Sequence, residues 1–169
     1  NDVMRTLGLL DGDAFTNAAA LLADENAFSG IDMAKFGADH DTILDRETVK
    51  GVSVIAQFDR AIAFFERYCE YEAIEGADRV SVERIPKKAF REAIANALAH
   101  RTWDVDACVR ISLSDDDAEI VSPGGLVPGM TKEAYLEGRF SLLRNPVLAE
   151  SMFRAGLIEK FGTGVRRIR

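Results

Sequence analysis

Apolar residues recur along this chain with two spacings, one typical of helices and one typical of strands. The longest helical pattern follows Ser53 and runs to about residue 71, with a stripe that includes Phe58, Ile62 and Phe65. Apolar residues three and four positions apart lie on one face of an α-helix. Ser53 suits an N-cap because its hydroxyl can accept a hydrogen bond from an unpaired N–H of the first turn. We therefore predict a long amphipathic helix whose apolar stripe lies in the hydrophobic core.

Caps and helix breakers predict four further helices. They are residues 17–23 behind the N-cap Thr16, a helix that Pro86 opens as its first residue, residues 131–137, and a helix from Asn145-Pro146 to Gly156. Proline is favoured at the start of a helix because its missing N–H would be unpaired there, and glycine is favoured just beyond the end.

Alternation of apolar and polar residues predicts strands over residues 28–36, 79–85, 107–113 and 118–121. The last two flank an Asp115-Asp116 turn and are predicted to form a β-hairpin. Residues 1–12 are expected to be a loop-like entry, and the charged residues 39–50 a loop or linker. Helices interleaved with strands predict an α/β (α+β) fold in which a mixed sheet packs against helices as a sandwich.

The composition is that of a soluble globular protein of one or two small domains. Of 169 residues, 47% are hydrophobic and 29% charged, without the apolar run of roughly 20 residues that a membrane span needs. We expect a cytoplasmic protein with no membrane partner. Cys69 and Cys108 have no metal-ligand spacing and are expected to be buried free thiols, and two histidines without a cysteine cluster argue against a zinc site.

The net charge of −7 argues against direct nucleic-acid binding by this segment, because nonspecific affinity comes mainly from Lys and Arg at phosphates. The terminal Arg166, Arg167 and Arg169 form a basic patch, which is either a solvated helix face or a DNA contact. If DNA is a partner, we expect a separate domain to bind it. The first residue is Asn, and residues 165–169 stop as a helix begins, so we expect a fragment of a longer protein.

The candidate chemistry lies on the helix behind Pro86. Glu92, Asn96 and His100 are four positions apart and therefore share one face. A glycine turn, Pro123-Gly124-Gly125, follows the hairpin, and a second, Gly162-Thr163-Gly164, lies near the C-terminus. A carboxylate, an amide oxygen and two loops that bring backbone N–H groups close to a ligand are the parts of an ATP site.

Each part also has a plainer interpretation. Glu92 is compatible with a solvated helix face, His100 with a charge that complements the helix dipole, and the glycines with ordinary turns. Asn96 is harder to explain in this way, because asparagine is a poor residue for a helix interior.

Residues 91–101, Arg-Glu-Ala-Ile-Ala-Asn-Ala-Leu-Ala-His-Arg, resemble the N-box of the GHKL ATPases, which include gyrase B and the histidine kinases. Residues 119–126, Arg144-Asn145-Pro146, Ile158-Glu159 and residues 162–165 resemble one GHKL branch. That branch is the C-terminal region of bacterial and archaeal transcriptional regulators, often called RecG-related ATP-dependent DNA helicases. Its members typically carry an N-terminal Schlafen/AlbA-type domain. The resemblance extends over essentially the whole chain and is strongest from residue 86 to residue 165.

This resemblance implies a role for each candidate. Glu92 would position or deprotonate the attacking water, and Asn96 would ligate Mg²⁺ through its amide oxygen. The other cofactor-binding residues would be His100, the adenine-side residues Ser122, Gly124 and Gly125, and the phosphate cradle Gly162, Thr163 and Gly164, with residues 126–161 as the lid region. Ser122 stands where GHKL ATPases have an adenine-reading aspartate.

The resemblance also implies an organisation and two alternative functions. Residues 1–78 would be a connecting region that follows a missing N-terminal DNA-binding domain, and residues 79–169 a C-terminally incomplete GHKL-like ATP-binding region. The leading hypothesis is binding of ATP and Mg²⁺, compatible with hydrolysis, in a transcriptional regulator that contacts DNA through its separate domain. The alternative is a degenerate fold that serves as a dimerisation or interaction module without nucleotide. A helicase motor is not expected, since this chain contains no Gly-x-x-x-x-Gly-Lys-Ser/Thr loop.

Overall fold

The computed structural model describes residues 2–38, 41–75, 78–137 and 142–158. In chain order its elements are α1 Asp2–Thr6, β1 Leu10–Asp11, β2 Ala14–Phe15, α2 Asn17–Leu22, β3 Ile31–Phe36, β4 Ile43–Val49, α3 Val54–Cys69, β5 Glu70–Glu75, β6 Asp78–Glu83, α4 Lys87–His100, β7 Val109–Leu113, β8 Ala118–Val121, α5 Lys132–Glu137 and α6 Pro146–Arg154.

Four of the strands form a mixed sheet in the order β4-β3-β7-β8. The central strands β3 and β7 run parallel, and each outer strand is antiparallel to its neighbour. At one end of the sheet Ile31 pairs with both Val49 and Val109. Strands β5 and β6 form a separate antiparallel hairpin, and β1 with β2 form a two-residue ladder.

One face of the four-stranded sheet packs against helices and builds the core. Ile31 and Met33 of β3 and Ile111 of β7 are buried, because alternate residues of a strand point to the same face. Buried side chains of α3, α4 and α6 belong to the same cluster. The predicted α+β fold, a mixed sheet against helices, is therefore confirmed.

Helix α3 forms where the sequence predicts it. The Ser53 hydroxyl accepts a hydrogen bond from the Ala56 N–H at 3.2 Å and caps its first turn. Phe58 and Phe65 of its apolar stripe are fully buried. Phe65 stacks on Phe90 of α4 with ring centroids 4.2 Å apart, so the stripe holds the two long helices together.

The other predicted helices and strands are present, with ends that differ by up to three residues. Helix α2 is capped by Thr16 as predicted, and Gly156 follows α6 with a positive φ of 73°. Pro86 is the N-cap of α4, so its predicted place as the first helical residue is wrong by one position. Cys69 is buried as predicted and burial raises the pKa of its thiol, but Cys108 is only partly buried; both are free.

The prediction of loops over residues 1–12 and 39–50 is wrong. The first range contains α1 and β1, and the second contains β4. Strand β4 lacks the hydrophobic pattern of a strand because two of its inward positions, Asp45 and Glu47, are acidic. Asp45 accepts hydrogen bonds from the Tyr68 hydroxyl and from Arg67 of α3, the latter at 3.1 Å, and Glu47 pairs with Arg60 at 3.0 Å. Strand β5, which follows α3 directly, was also not predicted.

The sheet takes β3 and β4 from residues 1–78 and β7 and β8 from residues 79–169, and the core cluster likewise spans residue 78. The division of the chain at residue 78 stays a prediction. Within the described ranges, none of the helices has both the length and the apolar character to cross a membrane.

Arg101, just behind α4, connects the helix to the start of the sheet. It is 1% exposed, and its guanidinium donates to the carbonyls of Ser29 and Gly30 at 2.8 and 3.1 Å and to that of Ala107. It also lies 4.2 Å from the ring of Trp103, in cation–π geometry. Burial lowers the pKa of Arg101, but its guanidinium still carries its charge at neutral pH.

We expect Arg101→Met to lower the free energy of unfolding by about 2–4 kcal/mol, because three carbonyl groups would lose a charged donor without regaining water. The matched control is Arg110→Met on β7, whose side chain is exposed; it should change stability by less than about 0.5 kcal/mol. Urea unfolding followed by circular dichroism measures both. Equal stability of the two variants would contradict the role given to Arg101.

Candidate functional site

Two of the predicted site residues are in direct contact on α4. The amide nitrogen of Asn96 donates a hydrogen bond to Glu92 Oε1 over 3.2 Å. Both side chains are partly buried, whereas Ile94, Ala95 and Leu98 of the same helix are buried in the core. The pair therefore lies at the border of the core face, where it is held in place but still accessible.

This contact determines which atom of Asn96 remains available. A carboxylate only accepts hydrogen bonds, so the nitrogen of the amide must face Glu92 and the oxygen must face away. Among the described residues, none donates a hydrogen bond to Asn96 Oδ1. A free amide oxygen beside a carboxylate is a suitable donor set for a hard divalent cation such as Mg²⁺, which takes only one or two protein ligands when substrate phosphates supply the rest. The described ranges contain no group of three or more His, Cys, Asp or Glu residues placed to hold a metal.

The first glycine turn packs on the C-terminal end of the same helix. The Ser122 hydroxyl donates to the Ala97 carbonyl at 2.8 Å, and the Thr102 N–H donates to the Pro123 carbonyl at 2.9 Å. Gly124 has a φ of 107°, and a Cβ there would overlap the Thr102 side chain. Gly125 has open space instead, with no atom within 4 Å of such a Cβ. Gly124 is therefore required by conformation and by contact, whereas Gly125 is not.

The Arg144-Asn145 dipeptide binds the same helix end from a distant part of the chain. Arg144 donates to the carbonyls of His100 and Gly125 at 2.9 and 2.6 Å. The Asn145 amide donates to the carbonyls of Ala99 and Arg101, both at 2.8 Å. Although Asn145 is the N-cap residue of α6, its side chain makes no capping bond there. The side chain donates its hydrogen bonds to the end of α4 instead.

His100 is partly buried at the last position of α4. Burial, and then the positive charge of Arg144, lower its pKa below the ordinary 6.5. The imidazole is therefore neutral at pH 7, and the charge that complements the helix dipole comes from Arg144. The plainer interpretation of His100 as a charged dipole partner is not supported.

The structure thus places Glu92, Asn96, His100, Ser122, Gly124 and Gly125 on or against one helix. Gly162, Thr163 and Gly164 lie outside the described residues, and their role stays a prediction, as do the catalytic and ligand roles of the others. The last described segment contacts the same helix, because Arg91 of α4 donates to the Gly156 carbonyl at 3.2 Å.

A separate depression of about 310 Å³ lies at the opposite face of the sheet, lined by residues that include Ser112, Asp117 and Glu119. Ser112 alternates with the buried Ile111 and Leu113, so its side chain points away from the helices. This depression is therefore distinct from the candidate site on α4.

Sequence reasoning missed three residues of this site: Thr102 limits the turn at Gly124, Arg144 binds the Gly125 carbonyl, and Asn145 binds the helix end. The Arg-Asn-Pro motif was a signal for the last two, but only as part of a resemblance, since their partners at the end of α4 are more than forty residues away.

Residues 106–169 match a family described as "Putative ATP-dependent DNA helicase recG C-terminal", whose model is of the HATPase type. The resemblance to the C-terminal region of RecG-related proteins is confirmed for this part of the chain. A search of curated proteins found no match.

The fold is similar to the crystal structure of the DIP2311 protein from Corynebacterium diphtheriae, with a TM-score of 0.82 and 28% sequence identity. The match covers 99% of this chain and 35% of that protein's chain. The chain therefore spans about a third of the length of this solved relative.

We expect the two glycines of the turn to respond differently to an added methyl group. Gly124→Ala should lower the unfolding free energy by about 1–3 kcal/mol, because it combines a strained φ with an overlap at Thr102. Gly125→Ala is the matched control and should stay within about 0.5 kcal/mol of the unchanged protein. Thermal and urea unfolding test the pair. A larger effect at Gly125 than at Gly124 would refute this geometry.

We expect His100 to make stability depend on pH below 6.5. With its folded pKa lowered, the unfolded chain binds the proton first, so the folded state loses stability as the pH falls from 6.5 towards the folded pKa. His100→Gln should show a shallower fall in that window, with a difference of at most about 1.4 kcal/mol per pH unit for one proton. Urea unfolding between pH 7.5 and 5 measures both slopes; identical slopes would show that His100 titrates normally.

Proposed function

We propose that this chain, whose residues 106–169 match the C-terminal region of RecG-related proteins, is an ATP-binding region of a larger protein, with Mg²⁺ as the companion ion. The observation that carries the proposal is the hydrogen-bonded Glu92–Asn96 pair, accessible on α4 one helical turn before His100 and the glycine turn. The HATPase type of the matched family supports the same ligand.

The pair divides the chemistry between two atoms. Asn96 Oδ1 would ligate the ion that accompanies the phosphates, and the free oxygen of Glu92 would accept a hydrogen bond from an attacking water. The bond from Asn96 also orients the carboxylate. Such positioning is the main protein contribution that phosphoryl transfer requires, so the arrangement is compatible with hydrolysis as well as with binding.

The residue on the adenine side of the site favours weak binding of the base. Ser122 uses its hydroxyl proton for the Ala97 carbonyl, so its oxygen is left as an acceptor, as the amino group of adenine needs. A neutral hydroxyl is a weaker acceptor than the aspartate of other GHKL ATPases, since hydrogen bonds to ionised groups are roughly twice as strong. We therefore expect a lower affinity for adenine than such an aspartate would give.

The second candidate is an interaction module without nucleotide. The observation that favours it is a set of exposed apolar side chains in the segment after the glycine turn: Leu126, Tyr135, Leu136, Leu142 and Leu143. Such side chains are typical of surfaces that bind a partner or a second copy. Light scattering of wild type and of Leu136→Ser over a concentration series tests this candidate. A dimer that the substitution dissociates, together with no ATP binding, would establish it.

In the larger protein we place this region behind a separate N-terminal domain that binds DNA, in a transcriptional regulator that is able to form a homo-oligomer. The acidic net charge of −7 supports this placement, because phosphate binding by this chain itself would be opposed. Tight, salt-sensitive retention of DNA by this chain alone in a filter-binding assay would overturn it.

We expect Asn96→Ala to remove Mg²⁺-dependent affinity for ATP, by about tenfold or more, because no amide oxygen would remain for the ion. Glu92→Ala should keep binding and reduce any hydrolysis by about a hundredfold or more, the usual loss for a general base. Calorimetric titration with ATP, with and without Mg²⁺, and phosphate release measure the two effects.

The control is Asp59→Ala, which removes an exposed carboxylate from α3 and should change neither quantity. If Glu92→Ala loses binding and hydrolysis together while still folded, the roles given to the pair are wrong. If the unchanged chain produces no heat with ATP up to low millimolar concentrations, the result favours the second candidate, an interaction module without nucleotide.

A further inference from the structure

We propose that Arg144 is a positioning residue that holds the glycine turn, Ser122 to Gly125, on the end of α4 and thereby sets the affinity for the adenine side of the nucleotide. This inference rests on the proposed function. Arg144 is placed beyond the turn in sequence, and nothing in its local pattern assigns it a partner.

The two hydrogen bonds of Arg144 join the end of α4 to the far end of the turn. Its Nε donates to the His100 carbonyl at 2.9 Å, and one terminal nitrogen donates to the Gly125 carbonyl at 2.6 Å. A guanidinium holds its donors in a rigid planar fork, so the distance between these carbonyls is defined by one group. A lysine ammonium in its place is a single point and does not reproduce that fork.

The backbone next to Arg144 is fixed by its neighbours in sequence. The neighbouring Asn145 is bound to two carbonyls of the α4 end, and Pro146 opens α6. Leu148 and Met152 of α6 are buried in the core. The guanidinium therefore projects from a fixed backbone.

The far end of the turn depends on this contact more than the near end does. Ser122 and Pro123 have their own bonds to α4 and to Thr102, and Gly124 is limited by Thr102. Gly125 has no neighbour on its Cβ side, so its carbonyl bond to Arg144 is its described attachment. Glycine loses more conformational entropy on ordering than other residues, so a turn released at Gly125 would have to be ordered again when a ligand binds.

The charge of Arg144 also suits its place. Cations are favoured at the C-terminal end of a helix, where carbonyl groups lack partners. Burial lowers the pKa of His100, and the charge of Arg144 lowers it further. The titration of the imidazole therefore reports on the charge of Arg144.

The experiment compares Arg144→Met, which removes fork and charge, with Arg144→Lys, which keeps only the charge. The control is Arg154→Met, an arginine of α6 that is 60% exposed and bonded to Glu150. Three quantities are measured: the backbone order parameters of Gly125 and Leu126 and the titration of the His100 imidazole, both by nuclear magnetic resonance, and the dissociation constant for ATP with Mg²⁺.

Both Arg144 variants should show lower order parameters at Gly125 and Leu126 and bind ATP about five- to tenfold more weakly. In Arg144→Met the His100 pKa should rise, because one of its two lowering causes is removed, while in Arg144→Lys it should stay low. This split separates position from charge, which a general loss of stability would not do. Arg154→Met should match the unchanged protein in all three.

Unchanged order parameters at Gly125 in Arg144→Met would overturn the positioning role, whatever the nucleotide result. Lower order parameters with an unchanged dissociation constant would overturn the link to affinity. If the unchanged protein binds no ATP, the proposed function fails and the affinity claim fails with it, while the order parameters still decide whether Arg144 holds the turn. Should Arg144→Met not fold, the Lys variant decides by the same criteria.

Discussion

The C-terminal end of α4 requires donors for its last carbonyl groups, because the final four carbonyls of a helix have no partners within it. Ser122 binds the Ala97 carbonyl, Asn145 binds that of Ala99, and Arg144 binds that of His100. These donors come from segments more than twenty and more than forty residues away. The glycine turn and the start of α6 are thus fixed to α4 by the need to pair buried backbone groups.

The next residue extends this junction to the sheet. Arg101 binds the carbonyls of Ser29 and Gly30, and the same Gly30 carbonyl accepts from the Val109 N–H, where β3 and β7 begin to run in parallel. Gly30 itself has no room for a side chain, since a Cβ would overlap the Val49 carbonyl of β4. The helix end, the two central strands and the candidate site therefore share one set of carbonyl contacts, and displacement of any of them would move the others.

This arrangement explains why α4 can present polar groups at the edge of a core. Its buried residues Phe90, Ile94 and Leu98 hold the helix against α3 and the sheet, and its end is fixed by the carbonyl contacts. Glu92 and Asn96 then keep a defined geometry without being buried themselves. Such preorganisation suits either of the functions considered.

Caps, apolar periodicity and a spacing of four residues are local properties, so the amino-acid sequence alone predicts helices α2, α3, α4 and α6, the β7–β8 hairpin and the shared face of Glu92 and Asn96. Other features depend on contacts between residues that are distant in sequence. Strand β4 pairs with β3 and brings its inward residue Asp45 against Arg67 and Tyr68, which no hydrophobic pattern reveals. The neutral state of His100 and the hold of Arg144 on Gly125 depend on burial and on contacts between residues distant in sequence, so only the folded chain could define them.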